Sequence, residues 1–125
     1  MTDKTVTLSV PAEPAFARSV RMMAANLAVC CEMSVEDVED VRMAAEEGFV
    51  YACATRPETC DIVFSLNPSS MVMGFSLGET VPEDTDDQSI DLIELLLAAV
   101  CDDFGVSEDG SQLVIYKKVG AENDR

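Results

Sequence analysis

The stretch RMAAEEGFVYACAT, residues 42–55, limits the possible folds more than any other, because it describes a helix made to lie against something. At about 100° per residue, Val41, Ala45, Gly48 and Ala52 fall on one stripe, a small and apolar face suited to a core. Glu46 and Glu47 stand side by side within the same helix. A carboxylate is almost never fully buried without a partner, so the two must be distinguished by direction. Glu47 lies well off the core stripe, with Tyr51 one turn further along on the same side. Glu46 points another way and is expected in solvent. Glu47 and Tyr51 therefore flank whatever lies over the edge of this helix.

The neighbouring segments supply a sheet for that helix. TVTLSV (5–10) alternates, with Val6, Leu8 and Val10 on one face, and predicts a half-buried strand. Pro14 suits the first turn of a helix that continues to about Met33. Ser34 is an N-cap, with Asp37 in a capping-box-like position, for a second helix that runs to about Thr55 and stops before Pro57. CDIVFSLNP and SMVMGFSLG predict a hairpin that turns at Asn67–Ser70. The acidic loop 78–88 leads to a third helix, IDLIELLLAAVCDDF, capped by Asp87 or Ser89, and then to a final strand QLVIYKKV. The order β-α-α-β-β-α-β predicts an α+β two-layer sandwich: one sheet of four principal strands with three helices on one face. The chain of 125 residues, 48% apolar and 6% aromatic, suits a single domain (1–125) whose core is Leu, Val, Ile, Met and Ala.

Several function classes are excluded by composition. The net charge of −16 repels phosphate backbones and instead accommodates a partner with a basic patch. Cys30, Cys31, Cys53, Cys60 and Cys101 lack C-x-x-C spacing and histidine is absent, so no metal site is expected. Four of these cysteines, the Met22–Met23 pair and Met71/Met73 are expected in the core. MTDKTVTLSV does not read as a signal peptide, and IDLIELLLAAVC is interrupted by Asp91 and Glu94 and is too short to span a bilayer. A soluble cytoplasmic protein is expected. An acidic cation-binding loop at residues 79–87 is a further alternative, but they lack the D-x-[DN]-x-[DN]-G order and the bidentate glutamate of an EF-hand and read as a solvated loop with a helix cap.

VEDVEDVRMAAEEGFVYACAT resembles the glutamate-bearing helix of the anti-sigma-factor serine kinases, small bacterial members of the GHKL (Bergerat-fold, histidine-kinase-like) ATPase superfamily. TLSVPAEPAFARSVRMMAANLA resembles that family's opening strand, P-A-x-P turn and first helix, and DDFGVSEDGSQLVIYKKV its last turn and closing strand. The resemblance covers nearly the whole chain and implies one mixed sheet with three helices on one face. It also implies roles. Glu47 takes the position of the general base, and Tyr51 that of the asparagine that holds magnesium. A phenol is poorly suited to Mg²⁺, which favours small oxygen ligands in octahedral geometry. Ser76 stands where an aspartate reads adenine, lacking the charge that strengthens such a bond, and Gly78 keeps a glycine of that motif. Asp91, Leu92 and Ile93 occupy the place of a phosphate-binding G-x-G, where their carboxylate opposes an anion at a helix N-terminus. Gly110 and Ser111 match the family's final glycine–threonine step.

The resemblance therefore implies a regulatory protein that binds a sigma factor or an anti-sigma antagonist, with ATP binding weakened or lost. No cofactor is expected on this reading. Members of the family often form homodimers, while the net charge and the short apolar run predict no direct nucleic-acid contact and no membrane span. The alternative is an active ATP-dependent protein serine kinase with a divergent pocket, using ATP and Mg²⁺ with Glu47 as the catalytic residue.

Overall fold

A computed structural model describes residues 3–82 and 89–119. Strand β1 (Lys4–Pro11) leads through a 3-10 turn at Pro14–Phe16 into α1 (Ala17–Cys30) and α2 (Val35–Ala54). The hairpin β2 (Thr59–Asn67) and β3 (Ser70–Ser76) follows, then α3 (Ile90–Val100), β4 (Asp103–Val106) and β5 (Gln112–Lys118). The strand order is β1-β2-β3-β5-β4.

Alternation decides which face is covered. In register, Val6 sits opposite Phe64, Phe64 opposite Met73, and Met73 opposite Ile115. This set and its alternate neighbours Ile62, Leu66, Met71, Phe75 and Leu113 join the buried side chains of the three helices in one core. The other face carries Thr5, Thr7, Ser9 and Ser65 and is left to solvent, the pattern of an antiparallel sheet covered on one side.

Two expectations about the sheet are corrected. The described residues form five strands rather than four, because α3 ends at Val100 and residues 103–106 pair with β5. Asp102 and Asp103 oppose the negative end of a helix dipole, and an extended chain lets Phe104 face the core side. The sheet is also antiparallel at every pairing rather than mixed. β3 and β4 run the same way, but β5 lies between them, so no parallel neighbours arise.

The local signals hold. Ser34 Oγ accepts the Asp37 N–H (3.1 Å) at the start of α2, and Asn67 Oδ1 accepts the N–H groups of Ser69 and Ser70 in the hairpin turn (both 2.9 Å). Ser89 Oγ accepts the Leu92 N–H (3.3 Å) at α3; Asp87, the other proposed cap, lies outside the described residues. The first helix stops earlier than expected, at Cys30, because Glu32 adopts φ 62° and the Met33 N–H turns back to the Ala28 carbonyl (3.2 Å). This leaves Cys30 exposed, and Met22 also faces solvent, so these two are not core residues, while Cys31 is half-buried against the core. Cys53 and Cys101 are half-buried, and Cys60, Met71 and Met73 are buried.

Candidate functional site

The second helix reaches the sheet through its small residues. Val41, Ala44, Ala45, Gly48 and Ala52 are all buried, and a Cβ on Gly48 would stand 2.8 Å from Phe75 Cε1 and 2.9 Å from Ile115 Cδ1. Only a glycine permits that approach. Glu46, expected in solvent, instead accepts from Arg21 Nη1 of α1 at 2.9 Å, half-exposed. Glu47 is half-buried on the same helix.

Tyr51 is 9% exposed and belongs to the core. Burial pushes its phenol pKa up, and the charge of Glu94 on α3 adds to the shift. The residue that the resemblance sets at the place of a metal-ligating asparagine is thus a packed phenol near the Glu94 carboxylate.

The remaining candidates lie elsewhere. Ser76 alternates with Phe75 onto the open face of the sheet, where its Oγ accepts the Asp61 N–H at 2.8 Å. It is directed away from Glu47 and Tyr51. Gly78 is pressed against the end of α2. Its N–H donates to Thr55 Oγ1 at 2.7 Å, and a Cβ there would lie 2.2 Å from the Thr55 carbonyl oxygen. Gly110, at φ 76°, shapes the exposed β4–β5 turn. Asp109 Oδ1 in that turn accepts the Ser111 N–H (3.0 Å) and the hydroxyls of Ser111 (2.7 Å) and Ser107 (2.8 Å). These bonds, the Ser111 N–H foremost, hold the Asp109 carboxyl down at about 2.

The Leu77 N–H donates to the Ser111 carbonyl at 2.9 Å, so Gly78 and Ser111 gather at the end of the sheet where α2 stops. Tyr51 and Glu47 lie about one and two turns back along α2, on its α3 side. Asp91 and Leu92 are exposed in the first turn of α3, and Ile93 is buried in the core.

Two structural residues escaped the sequence reading. Thr55 caps α2, donates to the Ala52 carbonyl at 2.6 Å and receives Gly78; its partner is 23 residues away, beyond any local signal. Lys117 is the other, and its phase was readable, because it shares the core parity of Leu113 and Ile115. Its side chain is 12% exposed, and Nζ lies 3.2 Å from Asp40 Oδ2, 3.6 Å from Asp37 Oδ1 and 3.2 Å from the Val100 carbonyl. Burial alone would lower its pKa, but the bond to Asp40 and the charges of Asp40, Asp37 and Asp102 outweigh it and raise the value. One ammonium thus ties the sheet to the start of α2 and the end of α3.

A cavity of about 400 Å³ opens beside Cys30, Cys31 and Asn67, and one of about 230 Å³ along β4 and β5; neither is lined by Glu47, Tyr51, Ser76, Gly78, Gly110 or Ser111. Among the described residues no group of three potential metal ligands converges, and no helix is long and apolar enough to cross a membrane.

No protein-family model matches the chain, and no curated protein matches it either. The fold is similar to that in the crystal structure of the RsbU and RsbW domains of Rv1364c from Mycobacterium tuberculosis, with a TM-score of 0.64 and 11% identity over 92% of this chain. This chain covers 32% of the length of that one. At such identity the likeness concerns the fold.

Proposed function

We propose that this chain is an anti-sigma-type regulator that binds a sigma factor or an anti-sigma antagonist through protein surfaces, without requiring ATP. The burial of Tyr51 is the observation that carries the reading: it fills the helix position from which the resembled family holds its metal, and a packed phenol is a poor ligand for Mg²⁺. The other groups that would receive a nucleotide have partners within the chain. Ser76 serves the β2–β3 hairpin, the Gly78 N–H serves Thr55, and the Ser111 hydroxyl serves Asp109. The residues present therefore fit Mg²⁺-ATP badly. The shared fold with a chain that contains an RsbW domain supports the regulatory side of the proposal. A cytoplasmic location and a homodimer belong to the same proposal.

The kinase alternative rests on Glu47, which keeps the position of the family's base on a half-buried stretch of α2. Calorimetry with ATP and with ADP, each with and without Mg²⁺, separates the two. The expected result is no binding heat, with a sigma factor or antagonist captured equally well in the absence of nucleotide. Tight Mg²⁺-ATP binding, together with loss of phosphate transfer to a partner serine in Glu47→Ala, would establish the kinase instead.

A further inference from the structure

Helix α3 buries little of what it carries. Ile93 and Leu97 are its buried residues, with Ile90 and Val100 half-buried against the core. On the opposite side Leu92 is 45% and Leu95 66% exposed, and Ala98 and Ala99 face solvent with them. The spacing of 92, 95 and 99 places these side chains on one stripe of the helix. Val106, on the neighbouring edge strand and on the helix side of the sheet, is exposed as well. Large apolar side chains exposed together on one helix stripe point to a contact site.

The charges on the helix itself and at the start of β4 are of one sign. Asp91, Glu94, Asp102 and Asp103 are all exposed on α3 and at the start of β4. No lysine or arginine occurs anywhere between residues 57 and 116. Lys117, which ends that interval, is turned inward onto Asp40 and Asp37. A second copy would set Asp91 and Glu94 against their own kind in a molecule of net charge −16. A nucleic acid or an anionic membrane would be repelled for the same reason.

We infer that the outer face of α3 docks a basic amphipathic helix of a protein partner, whose apolar residues cover Leu92 and Leu95 while its lysines or arginines meet the surrounding carboxylates. The inference rests on the reading that this chain acts by binding a protein, and it assigns that binding a surface and a chemistry. Helix recognition of this type uses anchors at i, i+3, i+4 and i+7, with the charges setting partner choice and encounter rate.

The test uses the full chain, isotope-labelled for NMR, and a synthetic helical peptide with leucines at that spacing and lysines elsewhere. Two control peptides replace the lysines by glutamate or the leucines by serine. The leucine–lysine peptide is expected to shift resonances of residues 91–99 and to bind at least about tenfold more tightly than either control. The Leu92→Ser/Leu95→Ser variant is expected to keep its Tm and lose about tenfold in affinity. Shifts centred on α1 or the open sheet face, equal binding by the lysine–serine peptide, or undiminished binding by the double variant would overturn the inference. So would self-association of the unmodified chain in sedimentation that the double substitution abolishes, because the occupant would then be a second copy. A sigma factor or antagonist that binds the wild type and the double variant alike removes this surface and leaves the anti-sigma reading intact. Failure of every such partner, with the peptide still seated on α3, does the reverse.

Discussion

Helices α2 and α3 pack against each other and reverse the usual relation between apolar content and burial. α2 carries Glu36, Asp37, Glu39, Asp40, Arg42, Glu46 and Glu47, yet buries seven of its residues. α3 carries only Asp91 and Glu94 and buries Ile93 and Leu97. Contact geometry accounts for the difference. α2 presents Ala44, Ala45, Gly48 and Ala52 to the sheet, and their small size brings the helix axis close enough for Phe75 and Ile115 to enclose it. α3 sits to one side, touching α2 and the short edge strand β4, so among the described residues its outer side, with Leu92 and Leu95, is left exposed. Hydrophobicity states what burial would gain; side-chain size states which helix can approach closely enough to collect it.

The comparison is tested most severely at the end of α2. Gly78→Ala sets a Cβ on the Thr55 carbonyl and on the backbone of Pro57, atoms that cannot step aside. A loss on the order of 3 kcal/mol or more is expected in urea unfolding. A Tm within a degree or so of the wild type would show that α2 is not locked at this end.

Between the two helices, Tyr51→Asn removes a buried ring. A loss of about 1–3 kcal/mol is expected, with no ATP binding gained, because neither an adenine reader nor phosphate-binding glycines are restored. Calorimetry of the variant with Mg²⁺-ATP checks the second half, and saturable heat there would show that the ring alone had closed a working pocket.

Lys117→Met keeps the apolar stem but leaves Asp37 and Asp40 without the ammonium that also holds the end of α3. Because Asp40 is partly exposed, the expected cost is moderate, about 1–2 kcal/mol. Hydrogen exchange should speed up in the first turn of α2 and the last turn of α3 together. Acceleration in only one of them would mean that the lysine does not couple the pair.

The smallest effect belongs to the outer face of α3. Leu92→Ser should change stability by no more than about 0.5 kcal/mol, as surface substitutions do. A large loss in thermal unfolding would mean that this face is covered, and the contrast with α2 would fail.

Much of this fold could be read from local patterns. The alternation of β1, the hairpin signal at Asn67 and the caps Ser34 and Ser89 each depend on residues within a few positions of one another. The core stripe of α2 depends on helical period alone, and all four of its named members are buried. Strand β4 was not legible, since DFGV is short and unremarkable until β5 pairs with it. The site was legible only in part. Glu47 and Tyr51 could be placed on one side of α2 by their spacing, but the burial of Tyr51 depends on α3, about 40 residues further along.

By itself, the amino-acid sequence determined every element type but that of β4, the covered face of the sheet and the net acidity of the chain. These follow from period, capping and charge, which act over short range or over the whole molecule regardless of path. Tertiary structure alone decided that Gly78 closes onto Thr55, that Lys117 anchors two helices and that Leu92 and Leu95 of α3 are exposed while Leu97 is buried. Each of these depends on which distant segments meet, and a side chain's fate at such a meeting is set by the space its neighbours leave rather than by its own chemistry.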